Sequence, residues 1–232
     1  MLFRSCFMVS DGTDADGSDA TRAAENLPAE AVVFCNFNTA SRITREVFRS
    51  WLEILRAVPS SVLWLQGSSA LTVANLRNEA QGCGIDPGRL VFAQRVTTKA
   101  MHIARVALAD LALDTVGWYN GHTSTSDALW AGVPVLTAPT DSFAGRVAAS
   151  LVNAAGLPEL AVRNLQEYVE TAIRLGHDRA QLGALTCKLA DNKRTAPFFD
   201  TRQIVRDLEA TYLSMWSTYR AGQGARTIEL PL

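Results

Sequence analysis

The sequence predicts a doubly wound α/β domain, a parallel sheet covered by helices on both faces, with a helical C-terminal extension. Three observations lead there. Short, continuously apolar segments bounded by turn residues recur along the chain, as strands buried on both faces require. Each is followed by a segment with apolar residues at helical spacing, the alternation of strands with crossover helices. A length of 232 residues, 48% hydrophobic and 19% charged, suits one large domain with an ample core.

The elements follow in order. A first strand is expected over 31–38, running into Phe34-Cys35-Asn36-Phe37-Asn38. Thr44 caps a helix whose Val47, Trp51, Ile54, Leu55 and Val58 share one face, and Pro59 stops it. A second strand over 61–65 ends at Gly67 and a helix follows over 69–81. The third strand, 90–93, precedes a helix over 98–107. The fourth, 108–115, leads through a loop to a short helix over 124–131, and the fifth covers 134–137. Helices then run over 142–155, 165–175, 179–190 and 201–219, the last aligning Ile204, Leu208, Tyr212, Met215 and Trp216. Residues 1–21 stand apart. Four aspartates among small residues between Ser10 and Ala20 predict a flexible acidic segment, so the folded domain is 22–232, starting near Arg22.

Charge and composition exclude several functions. With 22 basic and 23 acidic residues the net charge is −1, which gives no pull toward nucleic acid or an anionic membrane. No apolar run approaches the roughly 20 residues of a spanning helix. The apolar opening, Met1 to Val9, is interrupted by Arg4 and does not read as a signal peptide. The four cysteines are scattered, as reduced packing residues of a cytoplasmic protein are. The three histidines, 102, 122 and 177, lack metal-ligand spacing, so no metal is expected. Gly82, Gly84 and Gly88 follow a helix, not a strand, and read as turn residues.

In open α/β sheets ligands bind beyond the carboxyl ends of the strands, near the switch in strand order. That rule selects residues 39–42, 67–69, 94–99, 116–127 and 138–142, which carry Arg42, Arg95, Lys99, His122, Thr123, Ser124, Thr125 and Asp127. Cations, a hydroxyl-rich helix start and one carboxylate suit a nucleotide with phosphate. In Asn120-Gly121-His122-Thr123-Ser124-Thr125-Ser126-Asp127 the helix-start N–H groups attract phosphate, and Asp127 is placed to accept from ribose hydroxyls. The same run also reads as a plain capped helix. Lys99, His102 and Arg105, three apart on one helix, read either as diphosphate and base contacts or as a solvated basic face.

A resemblance separates these readings. Phe34 to Asn38, Ser61 to Leu65, Ala109 to Thr115, Gly121-His122-Thr123 and Asp127 to Pro134 form one ordered set. Arg146 to Ser150, Pro197 to Gln203 and Tyr212 to Trp216 extend it. Over about 21–222 the chain resembles the C-terminal catalytic lobe of the O-GlcNAc transferase/SPINDLY family of GT-B glycosyltransferases, whose lobes are Rossmann-like. The resemblance implies an inverting enzyme that moves GlcNAc from UDP-GlcNAc to Ser/Thr of cytoplasmic, and in eukaryotes also nuclear, proteins without a required metal. It also implies a donor site. Lys99 is the lysine that neutralises the departing diphosphate; His122, Thr123 and Ser124 lie over the phosphates; Asp127 holds the ribose; Thr97, Thr98 and His102, with Arg105 beside them, line the uracil. Two positions differ from the family: its glutamine is Thr39 here and its nearby lysine is Arg42. The loop Val116-Gly117-Trp118-Tyr119 is one residue longer and bulkier. An N-terminal catalytic lobe and a tetratricopeptide region are implied partners, in cis or trans. SPINDLY-type fucosyl transfer from GDP-fucose and a non-catalytic nucleotide-sugar module are the alternatives.

Overall fold

The structure, a computed structural model, describes Cys6, Met8 and residues 20–228. The acidic segment expected over 1–21 and the opening Met1 to Val9 therefore lie almost wholly outside the described residues. Five parallel strands form the sheet: β1 Val32–Asn36, β2 Ser61–Gln66, β3 Leu90–Ala93, β4 Leu111–Leu113 and β5 Val135–Leu136, in the order β3-β2-β1-β4-β5. Between and after them come α1 Arg45–Ala57, α2 Ala70–Gly82, α3 Lys99–Val106, α4 Thr123–Ala131, α5 Val147–Ala154, α6 Leu165–His177, α7 Arg179–Asn192 and α8 Thr201–Arg220.

The core is centred on β1. Phe34 pairs in register with Leu63 on one side and Leu111 on the other, and all three are fully buried. Burial of each such side chain contributes about 1.5–3 kcal/mol. Thr44 caps α1 by accepting from the Val47 N–H at 3.2 Å, and the buried Trp51 sits mid-helix where α1 packs on α6. At the opposite, N-terminal edge of the strands the Asp110 carboxylate accepts from the Val33 N–H at 2.7 Å and from Arg22 at 2.9 Å. Arg22 also reaches the carbonyls of Leu108, Ala29 and Ala31.

Three elements differ from the expected bounds. The fourth strand pairs only over Leu111–Leu113, because Leu108 and Ala109 close the end of α3 through hydrogen bonds to the Arg105 and Val106 carbonyls. The helix expected from 142 starts at Val147, since Ser142 and Thr140 fold the preceding residues into a turn on Gly145. In α8 the buried line is Ile204, Thr211 and Thr218, while Tyr212, Met215 and Trp216 are exposed. Thr211 and Thr218 bond the Asp207 and Ser214 carbonyls of their own helix, so their hydroxyls are buried already satisfied.

Candidate functional site

The chain runs from β1 outward to β3 and then crosses back to β4 on the other side of β1. The switch point therefore lies between the carboxyl ends of β1 and β4, and the loops that leave them carry the candidate residues. Buried amide and carboxyl groups fix both loops. Asn38 donates to Thr115 Oγ1 at 3.2 Å and accepts from Ser124 Oγ at 2.6 Å, joining the β1 loop to the first turn of α4. Asp114 accepts from the Gly121 and Thr115 N–H groups and from the Thr137 hydroxyl. Asn120, fully buried, donates to Thr137 Oγ1 and the Ala138 carbonyl and accepts from the Gly117 N–H. Gly121 is required by close approach, because a Cβ there would come within 3 Å of oxygens of Thr125, Asp114 and Ser124.

These contacts hold the start of α4 at the switch point. His122 stands at its N-cap with no side-chain cap on the helix, unlike α1 or α3. The hydroxyl run does not serve as a plain cap. Thr123 is exposed at the first position, and Asp127, one turn further, is buried with its pKa raised by burial and held down in part by Lys99.

Two groups of side chains flank this helix start. On one side Arg42 lies 4.0 Å over the Tyr119 ring, and Tyr119 stacks on His122 with centroids 4.7 Å apart. The His122 Nε2–H donates to the Ala144 carbonyl, and its pKa is lowered first by burial and further by Arg42. On the other side α3 packs on α4. His102 sets its ring edge-on to Phe37 at 5.3 Å and places Nε2 3.7 Å from Asp127 Oδ2. Burial, then Arg105, pushes the His102 pKa down to about 4. Arg105 is buried rather than part of a solvated basic face. It donates to the Gln94 carbonyl and to His102 Nδ1 and lies over Phe37.

The remaining candidates sit at the rim. Thr98 caps α3 by accepting from the Met101 N–H, which spends its hydroxyl on the helix, and Lys99 follows it at the exposed first position. Thr97 contacts Met101 Sδ, and the Thr39 hydroxyl pairs with that of Ser41, both threonines being exposed. The structure thus gathers Arg42, His122 and Ser124 at one end and Lys99, His102 and Asp127 at the other. Asn38, Asp114, Tyr119 and Asn120 complete the arrangement; in the sequence Asn38 and Asp114 follow buried strands closely and Asn120 opens the helix-start run. Among the described residues no group of three His, Cys, Asp or Glu is placed to hold a metal ion. No described helix is long and apolar enough to cross a membrane. A surface groove of about 850 Å³ between α1 and α6 is lined by Arg45, Glu46, Arg49, Glu53 and Glu170, none of them a candidate residue.

The family model for glycosyl transferase family 41 matches residues 13–208. The chain belongs to that family. It is 40% identical over 202 residues to the UDP-N-acetylglucosamine–peptide N-acetylglucosaminyltransferase of Caenorhabditis elegans, covering 87% of this chain and 17% of that one. It is 37% identical to the probable enzyme of that name, SEC, of Arabidopsis thaliana, over 94% of this chain and 23% of the relative. A Petunia hybrida relative named SPINDLY is 35% identical over 82% of this chain and 21% of its own length. Among solved structures a mutant of the Thermobaculum terrenum O-GlcNAc transferase superposes with TM-score 0.74 at 34% identity, over 81% of this chain and 37% of that one. The sucrose-phosphate synthase of Thermosynechococcus elongatus, at 17% identity and TM-score 0.59 over 85% of this chain and 48% of its own, shares the fold. The chain thus spans less than a quarter of these sequence relatives, and its fold is the Rossmann-like parallel sheet shared with the matched solved structures.

Proposed function

We propose that this chain is the donor-binding lobe of an inverting glycosyltransferase that moves GlcNAc from UDP-GlcNAc to Ser/Thr hydroxyls of cytoplasmic proteins. An N-terminal catalytic lobe, in cis or trans, completes the enzyme, and a tetratricopeptide region recruits acceptors. The carrying observation is the convergence of an uncapped helix start, a buried carboxylate one turn in, and a cation on either side at the β1/β4 switch point. The identities to relatives named for UDP-GlcNAc favour that donor.

In this reading the uracil lies against Thr97, Thr98 and His102, with Arg105 fixing the imidazole from beneath. Asp127 accepts from the ribose hydroxyls. The diphosphate follows the helix axis to His122, Thr123 and Ser124, where first-turn N–H groups and the macrodipole favour negative charge. An acceptor oxygen attacks the anomeric carbon, the bond to the β-phosphate oxygen breaks, and charge grows on UDP. Lys99, Arg42 and the helix terminus stabilise that charge, which makes a metal dispensable. The positions of the two cations divide the work, Lys99 acting beside Asp127 and Arg42 beside His122.

Calorimetric titration with UDP, UDP-GlcNAc and GDP-fucose tests the proposal. UDP and UDP-GlcNAc bind, GDP-fucose binds more weakly, and Lys99→Ala and Asp127→Ala each weaken UDP by about tenfold or more, as loss of a charge-assisted contact implies. Absence of UDP binding, or preference for GDP-fucose, overturns it.

A further inference from the structure

Arg42, on the loop after β1, and Tyr119, on the loop after β4, meet in space beside the start of α4. The Arg42 guanidinium lies 4.0 Å over the Tyr119 ring, and that ring stacks on His122 at 4.7 Å and 26°. Other restraint on Arg42 is slight, a long 3.4 Å contact from Nη1 to Asn38 Oδ1, whose oxygen already accepts from Ser124 at 2.6 Å. Tyr119 is itself anchored, its carbonyl accepting from Thr115 Oγ1 at 3.1 Å. Both loops are tied to the same buried residues, so the ring is fixed before any ligand arrives.

We infer that Tyr119 is a positioning residue that holds the Arg42 guanidinium ready for the β-phosphate of a nucleoside diphosphate. This rests on the donor-lobe reading above. An arginine side chain six residues beyond the end of β1 has many rotamers, and ordering it on binding would cost affinity. Stacking on an aromatic face orders it beforehand, and a planar guanidinium leaves its N–H edge available for bidentate contact with phosphate oxygens. The direction of the site assigns the phosphate. Asp127 marks the ribose, the helix start four residues earlier marks the α-phosphate, and Arg42 lies beyond it beside His122. Tyr119 therefore acts on the second phosphate and not on the nucleoside.

The test compares UDP with UMP on the whole chain by calorimetry. In the wild type UDP binds more tightly than UMP. Arg42→Met and Tyr119→Leu each weaken UDP by about fivefold or more and leave UMP within about twofold, a split expected when one charge-assisted contact to the β-phosphate is lost. Tyr119→Phe keeps the ring and behaves as wild type. The double variant Arg42→Met/Tyr119→Leu is no weaker than Arg42→Met alone, because the ring acts through the guanidinium. Tyr119→Gln, also without a ring, repeats the measurement if the leucine variant does not fold. UDP affinity unchanged in the ring-less variants, equal losses for UDP and UMP, or additive losses in the double variant overturn this inference while leaving the donor-lobe reading in place. A wild type that binds neither nucleotide overturns both.

Discussion

The Gly121 N–H donates to the Asp114 carboxylate at 2.6 Å, and this contact sets where α4 begins. The same oxygen accepts from the Thr115 N–H at 2.8 Å, and the other from Thr137 Oγ1 at 2.6 Å. One carboxyl group thus ties the end of β4 to the turn before the helix and to the strand-end residue Thr137. The start of α4 rests on this buried acid.

That acid makes stability depend on pH. Burial raises the Asp114 pKa from 3.8 to about 6, against the hydrogen bonds from Thr137, Gly121 and Thr115. Between those values the folded chain keeps a proton that the unfolded chain releases. The stabilisation from this group is fully present below pH 4 and is lost as pH rises through 6, on the order of 3 kcal/mol. Asp114→Asn retains the oxygen that serves both N–H groups and cannot ionise. Urea unfolding at pH 4.5 and 7.5 reads the effect: the variant gains relative to wild type as pH rises. Parallel behaviour of the two proteins across that range would refute it.

A second buried chain of hydrogen bonds leads to the same place. Trp51 Nε1 donates to the Tyr168 hydroxyl at 3.0 Å, which donates to the Asp114 carbonyl at 2.9 Å. Tyr168→Phe removes the acceptor of a fully buried indole, at a cost of about 1–3 kcal/mol. The expected result is a thermal midpoint lower by about 3–8 °C in a chain of this size. Trp51→Phe/Tyr168→Phe costs less than the sum of the single changes, since neither partner is then left unpaired. An unchanged midpoint in Tyr168→Phe contradicts the network.

How much of this was legible in the sequence follows from what each pattern encodes. The strands and helices were readable because burial on both faces gives β1 and β2 unbroken apolar runs, and because α1 keeps Trp51 and Ile54 on one face. The helix-start run announced itself through hydroxyls and glycine. Arg105 did not disclose its burial, since helical spacing alone puts it beside Lys99, and only the packing of α3 under Phe37 draws it inward. Asp114, Asn120 and Tyr168 were not legible. Their roles come from partners as far as 117 residues away, and local spacing does not carry such pairings.

The sheet's other end supplies a stability prediction away from the site. Asp110 Oδ2 takes the Val33 N–H at 2.7 Å and Arg22 at 2.9 Å, with Arg179 at 3.6 Å. Asp110→Ala leaves the β1 amide and two guanidinium groups without their shared acceptor. A half-buried cluster of this kind contributes about 1–3 kcal/mol. Chemical unfolding detects that loss, with UDP affinity measured below the transition unchanged. A wild-type midpoint would remove Asp110 from the account of stability, and a selective loss of UDP affinity would show that it acts on the site.

The last prediction concerns charge at the base end of the cleft. Arg105 Nη2 can only donate, so His102 Nδ1 accepts and the ring proton sits on Nε2, facing Asp127 Oδ2 at 3.7 Å. That distance is too long for a hydrogen bond. With its pKa pushed down to about 4 by burial and by Arg105, the imidazole is neutral at physiological pH and forms no ion pair with Asp127. In the proposed donor site the Asp127 carboxylate is then left for ribose hydroxyls, and His102 meets the base as an uncharged ring. UDP affinity should therefore show no step between pH 5.5 and 8 that disappears in His102→Gln, although the variant binds UDP more weakly at every pH. Titrations at several pH values decide it. A wild-type affinity that strengthens on acidification through pH 6, with the variant flat, would mean that the ring is charged in the complex and that Arg105 does not hold it neutral.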